Sequence, residues 1–220
     1  MNETSLRRLW TDLTPAQQQA LQAFAARLGF RLAPANAQDM ERLTLDQAFL
    51  PGIRFQRNVF WFDPAVATIT DLTHDMGHAL QLNPAARAKF NQPEGDMPTG
   101  ETGAMLVQWA ACRMALPDYP VGEALDEEWY SLGGDVNGVS WDARLRRAEV
   151  DPTELPLYLH LQDLGVDLPE PTVVSFKDPN DQDRPPRWLR RQMWARLEPF
   201  RDALTEARTR ERPAPSALAA

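Results

Sequence analysis

Cysteine is almost absent from the 220 residues: Cys112 is the only one, so no disulfide can form within the chain. It lies in an apolar run, where a small buried hydrophobe is its expected role, and a reducing cytoplasm suits such a composition. Lysine is nearly missing too, two residues against 21 arginines, a bias that in so Ala-rich a chain reads as the coding habit of a GC-rich bacterial genome. No uninterrupted run of eighteen apolar residues occurs, and the opening "MNETSLRRLWTDLT" contains no apolar stretch of the signal-peptide kind. Neither a membrane span nor export by a standard signal is expected, and the expected location is the cytoplasm. Positive charge is also short. A net charge of −8 argues against non-specific nucleic-acid binding by the chain as a whole.

That deficit is uneven. Residues 184–212 hold nine Arg against four acidic residues, a local +5 that leaves −13 for the remainder. Leu189, Met193, Leu197, Phe200 and Leu204 form an apolar stripe there, so the segment is expected to be one amphipathic helix, kinked at Pro199, docking on the acidic body. Nucleic-acid or partner binding through its Arg face is the alternative. Residues 1–183 are expected to form one globular domain, and 213–220 a disordered tail.

Within the body, "LTPAQQQALQAFAARLGF" has a helix start at Thr14-Pro15 and a stop at Gly29, with Leu21, Phe24, Ala25 and Leu28 on one stripe. A shorter helix is expected from Asn36 to Phe49. The periodicity then switches to strands in "IRFQRNVFWF", joined by a tight turn at Gln56 to Asn58. Asp63-Pro64 reads as the start of a helix running to Asn83-Pro84, with Val66, Ile69, Leu72, Met76 and Leu80 as its buried face. A further helix spans Glu101 to Ala115. Residues 121–151 hold turn chemistry at Gly133-Gly134 and Asn137-Gly138 that suits a hairpin or a long loop. "DPTELPLYLHLQDLG" reads as a short helix carrying His160, and "TVVSF" as a strand. The fold class is α+β, mainly helical.

Two of the three histidines, His74 and His78, fall in "DLTHDMGHAL" four residues apart, on one face of that helix, where their imidazoles can converge on a single ion. A further ligand from elsewhere in the chain would complete such a site. Glu101, in the first turn of the next long helix, is one candidate, although the helix dipole favours acidic residues there for structural reasons alone. Glu94, Asp96 and His160 are others.

The stretch "NVFWFDPAVATITDLTHDMGHAL" resembles the core of zinc metallopeptidases of the ImmA/IrrE type, in which a strand leads into a helix bearing His-Glu-x-Gly-His. His74, Gly77, His78, Ala79 and Leu80 fit that pattern, and the resemblance covers about residues 58–116. It implies a zincin-like core, zinc or another divalent metal held by His74, His78 and Glu101, an open fourth position, and a protein or peptide as substrate or partner. The catalytic position departs from the family: it is Asp75, where the peptidases carry Glu. Asp is shorter by roughly 1.3–1.5 Å, and misplacing a catalytic group by about 1 Å costs on the order of 10²-fold in rate. Metal binding tolerates this change better than catalysis does. The His74-Asp75 pair also resembles HD-type phosphohydrolases, which require an earlier His on another helix; no histidine precedes position 74. A third reading keeps the peptidase scaffold for a non-catalytic interaction protein.

Overall fold

A computed structural model describes residues 8–45, 50–91, 100–122, 125, 140–175 and 185–210, and they form a mixed α/β fold, mainly helical, around a small three-stranded sheet. Helix α1 (Pro15–Arg27) begins where expected. Thr14 Oγ1 accepts from Gln17 N and Gln17 Oε1 accepts from Thr14 N, a reciprocal cap, and Gly29 at φ +85° turns the chain away. Helix α2 (Ala37–Leu43) is capped by Asn36 and ends at a left-handed Thr44; residues 46–49 of the longer helix expected here lie outside the described set.

Strands β2 (Ile53–Gln56) and β3 (Val59–Phe62) make the expected hairpin, with Arg57 and Asn58 both left-handed at its turn. The sequence gives little sign of β1 (Arg31–Pro34), four residues that pair parallel to β3 from Arg31↔Val59 to Pro34↔Phe62. The sheet order is therefore β1-β3-β2. Its core face carries Phe55 and Phe60, both met edge-on by Phe30 at 5.7 and 5.3 Å, and Phe62, 4.9 Å from Trp10. These rings brace the strand that launches the next helix.

That helix, α3 (Ile69–Gln81), starts later than the sequence suggests. Asp63-Pro64 does begin a turn, in which Ala67 N donates to Asp63 O and Ala65 N to the Asp63 carboxylate, but Ile69 N is taken by Arg8 O and Leu9 bridges Thr68. Thr68 then caps α3, and Val66 is left 45% exposed instead of joining the stripe. Ile69, Leu72, Met76 and Leu80 are buried as expected. So are Thr73, His74, Asp75, Gly77, Ala79 and Gln81, so the helix is enclosed on nearly every side and its histidines do not sit on a solvent-facing flank.

Asn83 and Pro84 stop α3 and start the single turn α4 (Pro84–Arg87). Helix α5 runs from Glu101 to Ala115 and packs along α3 in the largest interhelical contact of the fold, with Met105, Trp109, Cys112 and Leu116 fully buried. Two further helices of the body are found among the described residues. Helix α6 (Trp141–Arg146) lies in the region left open by the sequence, where Gly133-Gly134 and Asn137-Gly138 fall outside the described residues. Helix α7 (Leu155–Asp163) carries His160. Between them β4 (Glu149–Val150) pairs parallel to β5 (Thr172–Val173), the front of the expected "TVVSF" strand.

The Arg-rich segment is not one kinked helix. It breaks into α8 (Arg187–Gln192), α9 (Trp194–Leu197), a 3-10 turn at Glu198–Phe200 around Pro199, and α10 (Arg201–Arg210). Leu189 and Met193 join the main core, and Leu197, Phe200 and Leu204 pack against it. Residues 213–220 lie outside the described set, and no described helix is long and apolar enough to cross a membrane.

Candidate metal centre

Helices α3 and α5 bring His74, His78 and Glu101 together. His74 Nε2 lies 3.1 Å from Glu101 Oε2, His78 Nε2 lies 3.4 Å from the same oxygen, and the two Nε2 atoms are 2.9 Å apart. Such closeness requires the helix backbones nearly to touch. Gly77, between the histidines, makes this possible: a Cβ there would sit 2.4 Å from Ala104 Cα. Ala104 follows Glu101 by three residues, so the Gly77 contact sets the spacing between the two sides of the site.

A second set of contacts fixes where α5 begins. Gly100 offers no side-chain cap, but Gln81 on α3 donates through Nε2 to Gly100 O at 2.8 Å. Trp188 Nε1 in turn donates to Gln81 O at 2.7 Å. Gln81 lies two turns beyond His74, on the same face of α3, and so ties the start of the glutamate's helix to the helix of the histidines.

Protonation makes this cluster unusual. Gln108 Oε1 lies 3.1 Å from His74 Nδ1, and a carbonyl oxygen can only accept, so the proton of a neutral His74 is held on Nδ1. Its Nε2 then presents a lone pair to the lone pairs of Glu101. Two acceptors at 3.1 Å repel unless a cation joins them, either a second proton on His74 or a metal ion. The triangle of 2.9, 3.1 and 3.4 Å compares with about 3.3 Å between neighbouring ligands of a tetrahedral zinc whose bonds are about 2.0–2.1 Å. Donor types, separations and the orienting Gln108 therefore fit a divalent metal. His78 has weaker support, since its buried Nδ1 meets no hydrogen-bond partner among the described residues.

Burial works to raise the Glu101 pKa, but with the histidines protonated their hydrogen bonds and positive charges outweigh it and hold the carboxyl at about 2 against an ordinary 4.5. Because the folded pKa is the lower one, Glu101 stabilises the metal-free protein above pH 4.5, and this contribution fades as pH falls toward 2. Urea midpoints measured across that range should fall less steeply for Glu101→Gln than for the native chain. Parallel acid limbs would show that the carboxylate is not held this way.

The sequence candidates Asp75 and His160 are not part of the triangle. Asp75 is buried, 2% exposed, one residue past His74, and is not among the groups whose ligand atoms converge. His160 is also buried; it meets Trp188 edge-on at 5.8 Å, and desolvation, aided by Arg87, holds its pKa below the ordinary value. It does not join the cluster. Glu94 and Asp96 fall outside the described residues. Gln108 was missed from the sequence, although it lies seven residues after Glu101 and so on the same face of α5, a usable signal. Gln81 is detectable in the same way on α3. No family model, curated protein or solved structure matches the chain.

Proposed function

We propose that the chain is a zinc-binding protein of the metallopeptidase type, with a zincin-like core, in which His74, His78 and Glu101 hold the ion and Asp75 is a shortened base. The observation that carries this reading is the triangle of three Lewis-base atoms, with His74 fixed by Gln108 so that its lone pair faces the other two. When bound, the ion supplies Lewis acidity toward a substrate carbonyl and toward water at neutral pH. Gln108 orients His74, and Gln81 holds the start of α5 so that Glu101 stays in reach of both rings. Asp75 would accept the proton released on attack and return it to the leaving amine, at a reach one methylene short of the residue such peptidases use.

The burial of Asp75 favours a second reading, a regulatory protein that retains the scaffold and the metal with little or no turnover. An HD-type phosphohydrolase is less well supported, since Asp75 would have to be a ligand there and lies outside the converging set.

Peptide hydrolysis by zinc-loaded protein separates the first two. Asp75→Glu should raise kcat/KM on a quenched-fluorescence peptide mixture by on the order of 10²-fold, and Asp75→Ala should abolish any basal rate. Hydrolysis unchanged in both variants would reject the base role and leave the regulatory reading.

A further inference from the structure

The broken C-terminal segment leaves a cleft of about 700 Å³ on its outer side, within the size range of small-ligand sites, roughly 300–1,000 Å³. Arg187, Arg190 and Arg191 of α8 and Trp194 of α9 line it together with Leu197 and Glu198, and Arg201 and Leu204 close it from α10. Arg201 pairs with Glu198, whereas Arg187, Arg190 and Arg191 are exposed and form no ion pair among the described residues. Arg196, by contrast, is turned away to Asp163 and Gln162. Trp194 is 72% exposed although Leu189 and Met193 beside it are buried. A large indole in water within a ring of guanidinium groups needs an explanation that packing does not give.

We propose that this cleft binds single-stranded nucleic acid, with a base stacked on Trp194 and the flanking phosphates on Arg187, Arg190 and Arg191. Flat bases alternate with phosphates along a single strand, and the cleft sets one aromatic plane beside three cations. An acidic peptide would be satisfied by the guanidinium groups and leave the indole unused. Duplex DNA would present phosphates but no base face. A membrane surface would require the aromatic and the cations on opposite sides of the helix, whereas here Leu189 and Met193 are in the core and only the edges of Leu197 and Leu204 reach the cleft. The −13 carried by the rest of the chain opposes a polyanion, so affinity must come from these few contacts and fall steeply with salt.

Fluorescence anisotropy of a labelled oligothymidylate of about 12 nucleotides, within the range of known single-strand sites, tests this on the full-length protein. Three phosphate contacts give a slope of log K against log salt of about −2. Trp194→Ala should weaken binding about tenfold, with Trp194→Phe retaining most of it, and Arg190→Ala/Arg191→Ala should bring the slope to about −0.7. Circular dichroism must match the native chain in each case, and the Arg pair provides the reading should Trp194→Ala fold poorly. No binding at low salt, equal competition by polyglutamate, tighter binding of a duplex of the same length, or affinity indifferent to both sets of variants would each overturn the proposal. Metal loading plays no part in this prediction.

Discussion

Gly77→Ala is expected to destabilise the protein by about 3 kcal/mol, against a general rule that Gly→Ala inside a helix gains up to about 1 kcal/mol. The added methyl would lie 2.4 Å from Ala104 Cα and 2.7 Å from Ala104 O, and both are backbone atoms that no rotamer change can move. Helices α3 and α5 must separate by an ångström or so, on the order of what their closest contact lacks, and the burial between them is lost in proportion. For a chain of this length the shift in Tm should be about 6–12 °C. The same separation widens the gap between the histidines and Glu101. Zinc affinity should therefore fall with stability, even though Gly77 offers no ligand atom. Thermal denaturation followed by circular dichroism gives the first effect, and zinc titration of the folded variant below its transition gives the second. An unchanged Tm would mean that the two helices are not held at this distance.

The second large effect lies far from the centre. Arg144 on α6 is 1% exposed and makes two parallel bonds to Glu154, at 2.9 and 3.1 Å, while its guanidinium stacks 3.9 Å over the Trp141 ring. Glu154→Ala removes both of these bonds from a buried guanidinium, at a cost of about 3–5 kcal/mol. Replacing both partners by apolar residues, Arg144→Met with Glu154→Leu, should cost less than either single change, because the penalty is for breaking a buried pair on one side only. Urea unfolding of the two singles and the double forms the cycle that measures this. Additive losses would contradict a coupled buried pair.

These two features show what the sequence disclosed and what it did not. Helices with caps of their own were legible: Thr14-Pro15 and Gly29 bound α1, and the stripe of Met105, Trp109 and Cys112 marks α5 to its last residue. Pairings between distant segments were not. Strand β1 is four residues ending in Pro and becomes a strand only because β3 lies beside it, and the Arg144–Glu154 pair joins two elements whose contact no local pattern records. The start of α3 was misread for the same reason, since Arg8 O takes the amide that a continuous helix from Pro64 would have used.

At the site, His74 and His78 were visible because four residues make one helical turn, whereas their approach to Glu101 depends on the α3–α5 contact. Gly77 was legible as a motif residue and, as it proves, is also the point where the helices touch. Asp75, adjacent to His74 in sequence, is rotated about 100° around the helix and is not one of the three converging groups.

A cation held between His74, His78 and Glu101 is tested most directly by anomalous scattering at the zinc edge from crystals grown with zinc. One strong peak should appear about 2.0–2.2 Å from both Nε2 atoms and a Glu101 oxygen, and it should vanish in His74→Ala/His78→Ala. Zinc-saturated crystals with no peak there, and the two nitrogens still 2.9 Å apart, would contradict it.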